Sequence, residues 1–160
     1  MNEAFLLTGG NTGNRKSHLL KAKQQIEKRC GSILQESSVY ETAAWGKEDQ
    51  DAFLNQVLKI ETSLDASSLL TNLLAIEEEM GRKRETKYGP RNIDIDILFF
   101  NNDIISLPGL TIPHPQMQHR RFVLEPLNEI APGKIHPVSK KTVSQLLAQC
   151  TDPLPVNKIN

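Results

Sequence analysis

The chain has 160 residues, and its 19 lysines and arginines balance its 19 aspartates and glutamates, so the formal net charge is zero. A neutral chain has no overall attraction for nucleic acid or for an anionic membrane, so any such attraction must be local. The length indicates one domain over residues 1–160, which would bury roughly two-thirds of its unfolded surface without disulfides or metals as staples.

The N-terminus and the two cysteines bear on the compartment. Residues 1–7 contain no basic n-region, and no stretch approaches the roughly 20 apolar residues that a membrane span requires. We therefore expect a soluble, cytoplasmic protein with no membrane partner. Cys30 and Cys150 lack the spacing of a zinc site, and we expect them to remain reduced thiols without a chemical role.

A strand, a glycine-rich loop and a helix are predicted at the N-terminal end. Residues 5–8 form the apolar strand and residues 9–14 the loop, and apolar spacing predicts a helix over residues 15–30, capped by Asn14. The loop matches neither a P-loop nor a dinucleotide-binding fingerprint. A sharp turn that passes close to another group and a backbone contact with a ligand remain equally good interpretations.

Two further strands are predicted over residues 33–42 and 53–61. Alternation in the second strand puts its aliphatic residues on one face and leaves Phe53 and Asn55 together on the other. An aromatic ring beside an amide suits a flat heteroaromatic ligand, because the ring stacks while the amide supplies a donor and an acceptor. Taken alone, however, such a phenylalanine is more often a core residue.

The second half of the chain alternates apolar elements with charged segments. Asp65 opens a helix that ends at Gly81, and residues 82–91 then carry five basic residues against one acid. A strand follows over residues 93–98, then a turn at 101–103 and an extended path to residue 112. A capping box predicts a last helix from residue 142.

The Asp94-Ile95-Asp96 pattern sets two carboxylates on the same face of that strand, because residues two apart point the same way. The alternating isoleucines fill the buried face. Two neighbouring acids need a divalent cation or a protein cation such as Arg91 as counter-charge. A solvated edge strand would explain the spacing alone, but the adjoining basic segment would repel itself without an anion, which favours a nucleotide polyphosphate site.

His114 stands between two prolines, which stiffen the backbone and fix the direction of its imidazole. Together with Arg120 and Arg121 it forms a second cationic cluster. A lone loop histidine is most often a surface residue, but two cationic clusters in a neutral chain favour one shared polyanion.

The string Gly-Pro-Arg-x-x-Asp-Ile-Asp-Ile-Leu over residues 89–98 closely resembles the signature of the 6-hydroxymethyl-7,8-dihydropterin pyrophosphokinase family. Five shorter motifs occur in the family's order, at residues 8–11, 53–55, 81–84, 111–114 and 120–122. The resemblance spans about residues 4–150. It implies an α+β fold of ferredoxin-like type, an antiparallel-rich sheet with helices packed on its faces, which the predicted order of elements allows.

The resemblance also implies a reaction. Members of the family transfer the β,γ-diphosphate of ATP to the hydroxymethyl oxygen of the pterin and release AMP, a step of folate biosynthesis. It implies two Mg²⁺ ions, ATP as co-substrate, small-molecule substrates and no nucleic acid; we expect a monomer.

Site residues are carried over position by position. Two metal ligands are implied, Asp94 and Asp96. A catalytic set is implied at Arg82, Arg91, Asp94 and Asp96. An ATP-binding set is implied at Glu77, Arg84, Arg91, Ile97, Thr111, His114 and Arg120. A pterin-binding set is implied at Thr42, Ala43, Ala44, Trp45, Phe53, Asn55 and Phe122. The basic loop over residues 82–90 resembles the family's mobile lid over ATP.

Several positions depart from the family pattern: Gly10 replaces a serine, Phe53 a frequent tyrosine, Leu74 a glutamine, Tyr88 a tryptophan and Pro115 an aromatic residue. These changes bear on individual affinities more than on the reaction. Two other functions stay open, a noncatalytic ferredoxin-like module that binds nucleotides or RNA and a Mg-dependent kinase of another substrate. Eight aromatic residues and zero net charge argue against the module.

Overall fold

The computed structural model describes residues 1–43, 51–81 and 92–159. Its strands are β1 (Asn2–Gly10), β2 (Ser32–Glu36), β3 (Tyr40–Thr42), β4 (Phe53–Thr62), β5 (Asp94–Phe100), β6 (Ile105–Leu107), β7 (Leu110–Ile112) and β8 (Val156–Lys158). Its helices are α1 (Arg15–Arg29), α2 (Ala66–Glu79), α3 (Arg121–Ile130) and α4 (Val143–Gln149), with a short 3-10 helix at Met117–His119.

The main sheet is antiparallel and has the strand order β5–β1–β4–β3–β8, with β2 paired to the other end of β4. Strands β2 and β3 lie along the same edge of β4, so they act as one interrupted strand. Counted in this way, the elements follow one another along the chain as β1, α1, β2/β3, β4, α2 and β5. In the sheet, these four strands lie in the order β5, β1, β4, β2/β3, which is fourth, first, third, second in chain order. The expected ferredoxin-like α+β fold is confirmed.

The predicted strand over residues 33–42 is interrupted at residues 37–39. The Ser37 amide donates to the Val57 carbonyl (2.9 Å), and its hydroxyl oxygen accepts from the Val57 amide (2.9 Å). Gln56 donates to the Ser37 carbonyl at 2.8 Å. These bonds satisfy buried polar groups where the ladder breaks, so the interruption costs little hydrogen bonding.

Apolar side chains pack on both faces of the sheet. One cluster joins Ala4 and Leu6 of β1 to helices α1 and α2, and the other joins Phe5 and Leu7 to helices α3 and α4. Because side chains alternate between the two faces along β1, this strand contributes residues to both cores. Each fully buried aliphatic or aromatic side chain contributes roughly 1.5–3 kcal/mol, so both faces hold the central strands in place.

The predicted helix starts are confirmed. The side chains of Asn14 and Asp65 accept from backbone amides three residues on, at the starts of α1 and α2. Thr142 and Gln145 form the predicted capping box of α4. Each cap satisfies amides that the helix leaves unpaired, which is worth about 1 kcal/mol.

Two elements differ from the sequence-based expectation. Helix α3 was not predicted, because Pro126 lies inside it and proline usually breaks a helix interior. The C-terminal strand β8 was not predicted either, and it forms by pairing with β3. Strand β1 also runs through Gly9 and Gly10, where the sequence predicts a loop.

Within the described residues, no helix is long and apolar enough to cross a membrane. Both cysteines are free thiols. Burial raises the pKa of Cys30 to about 11, against an opposing effect of Arg29. The thiol form is therefore favoured at neutral pH, and Cys30 acts as a small core residue.

Glu129 on α3 ties that helix to the interrupted strand. Its carboxylate accepts from the Ser38 amide (3.0 Å), the Ser38 hydroxyl (2.9 Å) and the Tyr40 hydroxyl (2.7 Å). Burial alone would raise the pKa of Glu129, but the hydrogen bonds from Tyr40 and Ser38 outweigh it and lower the pKa.

We predict that Glu129→Ala lowers the free energy of unfolding at pH 7 by about 1 kcal/mol, because it removes the partner of the partly buried Tyr40 hydroxyl as well as two exposed hydrogen bonds to Ser38. Urea denaturation measures the loss, with Glu27→Ala on the exposed side of α1 as the matched control. The difference from wild type should shrink in acid, as the pH falls through the lowered pKa of Glu129. An unchanged denaturation midpoint would contradict the assignment.

Candidate active site on one face of the sheet

Strand register brings two distant motifs together across β1. Gly9 is paired with Asn55 of β4 on one side and with Asp94 of β5 on the other. Residues two apart on a strand share a face, so Phe53 points the same way as Asn55, and Asp96 points the same way as Asp94. The face is the one that packs against α3 and α4, since Leu7, Val57 and Leu98 follow on it.

The Asp-x-Asp strand has the predicted alternation. Asp94 and Asp96 are half-buried, whereas Ile95 and Ile97 on the opposite face are only 4% and 6% exposed. The two carboxylates therefore share one side of β5, and the aliphatic side chains anchor the strand to the core beneath α2.

Glu77 supports β5 from behind. Its side chain is 3% exposed, and its carboxylate accepts from the Ile95 backbone amide at 2.7 Å. A charge-assisted bond of this kind is stronger than a neutral one. Glu77, which the family resemblance places at the nucleotide, thus holds the strand that carries both aspartates.

A cavity of about 280 Å³ lies beside β5. Three of the residues implied for ATP line it, namely Ile97, Thr111 and His114, and Asp96 lies in the same wall. The remaining lining residues are Leu70, Ile95, Gly109, Leu110 and Pro115. A mostly apolar pocket with a few polar groups at one end is typical of a small-molecule site.

His114 presents a neutral donor to this cavity. Its backbone amide donates to the Leu98 carbonyl (3.0 Å), and its Nδ1 accepts from the Gln116 amide (3.2 Å). Burial, followed by the positive charge of Arg120, lowers the pKa of His114 from 6.5 to about 4. The ring is therefore neutral at pH 7, with its proton on Nε2.

The two neighbouring arginines have separate contacts. Arg120 lies with its guanidinium carbon 5.8 Å from the centre of the Phe122 ring. Arg121 instead donates to the carbonyls of Cys150 (2.9 Å) and Asp152 (3.1 Å). The expected cationic cluster is thus divided, because Arg121 anchors the C-terminal tail and Arg120 remains beside the site.

The residues implied for the pterin fall into two groups. Phe53 and Phe122 are half-buried, Asn55 is 4% exposed, and Phe122 packs against the core cluster on the same face of the sheet. The buried Thr42 uses its hydroxyl to donate to the Pro155 carbonyl at 3.0 Å, so its side chain braces the tail. Its neighbour Ala43 is exposed.

Several expected residues lie outside the described residues. They are the pterin-wall residues Ala44 and Trp45, the arginines Arg82, Arg84 and Arg91, and the whole basic loop over residues 82–90, which includes Tyr88. Their assignments stay predictions.

The glycine-rich loop contacts residues from two distant parts of the chain. The Asn11 amide donates to the Asp51 carbonyl (3.0 Å), and the Thr12 hydroxyl donates to Asn92 (2.5 Å). Asn92 in turn donates to the Met80 carbonyl at 3.1 Å. Of the two interpretations left open, these contacts favour a close structural turn. Nothing in the local sequence pattern pointed to the Asn92 bridge, because its partners lie 12 and 80 residues away.

The residues present fit the magnesium that the family resemblance implies. Carboxylate oxygens are the hard ligands that Mg²⁺ prefers, and two of them suffice, because the ion usually keeps waters and substrate phosphate oxygens as its other ligands. Asp94 and Asp96 offer that donor set on one accessible side of β5. Over the described ranges, no group of three or more histidine, cysteine or acidic residues is placed to hold a metal.

Comparisons with known proteins identify the family. The family model described as 7,8-dihydro-6-hydroxymethylpterin-pyrophosphokinase (HPPK) matches residues 5–132. The chain belongs to this family. The family match does not favour a noncatalytic nucleotide- or RNA-binding module.

Curated relatives cover most of the chain. The 2-amino-4-hydroxy-6-hydroxymethyldihydropteridine pyrophosphokinase of Aquifex aeolicus is 42% identical over 151 residues, which are 94% of this chain and 94% of that protein. The protein of the same name from Bacillus subtilis is 43% identical over 130 residues, or 81% of this chain and 78% of its own length.

Solved structures support the fold. A crystal structure of Plasmodium falciparum HPPK-DHPS matches with a TM-score of 0.75 and 22% identity, over 93% of this chain. This chain spans 43% of that longer chain. At this identity the likeness shows the fold alone, and it agrees with the ferredoxin-like topology of the sheet.

We predict that the His114 imidazole stays neutral from pH 8 down to about pH 5 and takes up a proton near pH 4. An NMR titration of its ring nitrogens measures this. Because an unfolded histidine takes up its proton first, stability from this group is lost as pH falls from about 6.5 to 4. In Arg120→Gln, which keeps much of the bulk and removes the charge, the pKa of His114 should rise. An imidazolium signal at pH 7 would contradict the neutral-donor role.

Proposed function

We propose that this chain transfers the β,γ-diphosphate of ATP to the hydroxymethyl oxygen of 6-hydroxymethyl-7,8-dihydropterin, giving the pterin diphosphate and AMP in folate biosynthesis. The observation that carries the proposal is the row Asp94–Gly9–Asn55, fixed by register across three strands. It sets candidate metal ligands and a candidate pterin-reading amide on one face of the sheet.

For the pterin, the proposal uses the two aromatic rings and the amide. Phe53 and Phe122 would stack on the bicyclic ring, and Asn55 would read its polar edge with one donor and one acceptor. Stacking does not require the phenolic hydroxyl that a tyrosine at position 53 would add. The exposed backbone at Ala43, followed by Ala44 and Trp45, would complete the wall.

For the nucleotide, the cavity beside β5 is the proposed site. Ile97 and Thr111 would contact the adenosine, while the Nε2–H of His114 and the guanidinium of Arg120 would donate to phosphate oxygens. We propose phosphate contacts for Arg84 as well. Arg82 and Arg91 would stabilise charge that develops during transfer, a role in which one arginine can be worth roughly 10³ to 10⁵ in rate.

Asp94 and Asp96 would hold two Mg²⁺ ions. When bound, these ions would neutralise charge on the polyphosphate. The hydroxymethyl oxygen forms a bond to the β-phosphorus as the bond from that phosphorus to the α–β bridging oxygen breaks. AMP leaves with the bridging oxygen, and the hydroxyl proton passes to solvent. Glu77 contributes indirectly by holding β5, and hence both aspartates, in position.

We further propose that residues 1–160 act as a single domain and a monomer. The sheet supports the single domain, because it joins β1 near the N-terminus to β8 near the C-terminus through continuous strand pairing.

We predict that the purified chain converts ATP to AMP only when both Mg²⁺ and 6-hydroxymethyl-7,8-dihydropterin are present. Chromatography of the nucleotides and of the pterin product measures the reaction. ADP formation would indicate transfer of one phosphoryl group and contradict the proposal. Nucleotide binding without any turnover would revive the noncatalytic module.

We predict that Asp96→Asn lowers kcat by roughly 100-fold or more, because the amide keeps the shape of the side chain but loses a charged metal ligand. Higher Mg²⁺ concentrations should restore part of the activity. Asp103→Asn, at an exposed turn beyond the same strand, is the matched control and should retain wild-type rates. Near-normal turnover in Asp96→Asn at low Mg²⁺ would rule out this ligand role.

A further inference from the structure

Gly9 occupies the middle of the row that joins the two halves of the proposed site. It lies on the central strand, buried, with Asn55 beside it on β4 and Asp94 beside it on β5. Neighbouring strands are about 4.8 Å apart, so the backbones of Asn55 and Asp94 are separated by roughly 10 Å, with Gly9 between them.

The Asn55 amide lies where a side chain at position 9 would be. A Cβ atom built on Gly9 would be 2.2 Å from Asn55 Oδ1 and 3.2 Å from its Cγ. The shorter distance is far inside van der Waals contact, so any residue other than glycine must displace this amide.

The backbone around Gly9 is much less crowded than the amide. The same Cβ would be 3.1 Å from the Leu54 carbonyl oxygen, so this carbonyl would have to shift by a few tenths of an ångström. The amide is the far end of a side chain and can move by rotation. A methyl group at position 9 should therefore change the orientation of the Asn55 side chain more than the stability of the fold.

We propose that Gly9 is a positioning residue for the pterin: its missing side chain lets the Asn55 amide lie flat against β1, where it can read the pterin edge. The inference rests on the proposed function of the site. It adds a requirement for a residue that the resemblance does not place in contact with any substrate.

The effect should be confined to one substrate. A pterin held at Asn55 must extend its hydroxymethyl group along the row towards Asp94, and so across Gly9. The nucleotide cavity is lined by residues of α2, β5 and the segment from Gly109 to Pro115, among which neither Gly9 nor Asn55 occurs. A change at position 9 therefore alters pterin recognition and leaves nucleotide binding in place.

A double-mutant cycle tests the inference. Gly9→Ala, Asn55→Ala and the double variant are compared with wild type for pterin affinity, measured by calorimetry with Mg²⁺ and a non-hydrolysable ATP analogue. Gly9→Ala should weaken pterin binding about tenfold or more, the scale of one misplaced buried polar group, and change analogue affinity less than about twofold. In the Asn55→Ala background, the same change should cost less than about twofold, because the displaced amide is gone.

Gly133→Ala is the matched control, because a Cβ there meets no atom within 4 Å. Equal losses of pterin affinity in both backgrounds, or no loss in Gly9→Ala, would overturn the inference. If Gly9→Ala does not fold but the double variant does, the clash with the amide destabilises the fold instead of redirecting Asn55, and the inference is overturned. If both fail to fold, the backbone contact with Leu54 is what requires glycine, and the inference is wrong.

The side-chain amide resonances of Asn55 give a second readout. They should shift in Gly9→Ala and stay in place in Gly133→Ala, whether or not pterin is the substrate. Wild-type chain that binds no pterin would refute the proposed function. Wild-type chain that binds pterin, with Asn55 signals and pterin affinity unmoved in Gly9→Ala, would refute only the role of Gly9.

Discussion

The hydrogen-bonded register of β1 with its two neighbours is the constraint on which the rest of the structure depends. Because side chains alternate with a period of two, a slip of one residue would turn every side chain of a strand to the opposite face. Such a slip of β5 would send Asp94 and Asp96 into the core beneath α1 and α2. The aliphatic residues on both faces of the sheet make that exchange costly, so the apolar packing that stabilises the fold also fixes the position of the carboxylates.

The ionisable groups at the candidate site each have a defined environment. Glu77 is buried, and its carboxylate meets a backbone amide of β5. His114 is held neutral by burial, so it can donate a hydrogen bond without bringing a second charge close to Arg120. In the described part of the chain, the positive charge beside His114 is that of Arg120, and a planar guanidinium group is suited to phosphate oxygens.

Much of the fold and part of the site were predictable from the sequence. Alternation found β4 and the Asp-x-Asp strand, and the capping side chains at Asn14, Asp65 and Thr142 marked the correct helix starts, because these signals are local. The pairing of Gly9 with Asn55 and with Asp94 is not local, since it depends on strand order. The family resemblance gives Asp94 and Asn55 separate roles and gives Gly9 none, so the row appears only in the structure.

The elements that sequence reasoning missed share a cause. Helix α3 contains Pro126, and β8 follows two prolines and itself contains Asn157 and Lys158, so local propensity argues against both. They form because tertiary contacts outweigh propensity: α3 buries Val123 and Leu127 against the sheet, and β8 completes hydrogen bonds along β3. Arg121 was misassigned for a related reason, because a basic residue that binds carbonyl oxygens 29 and 31 residues away has no local signature.

The tail that Arg121 and Thr42 hold has a consequence for association between molecules. An open sheet edge exposes unpaired amides and carbonyls that can recruit a strand from another chain. Here β8 covers β3 and is itself only three residues long, with Lys158 exposed at its end. On the opposite side of the sheet, the backbone amide of His114 donates a hydrogen bond to the Leu98 carbonyl on the outer edge of β5. The segments that border the candidate site thus also cover part of each sheet edge, at β3 on one side and at Leu98 of β5 on the other.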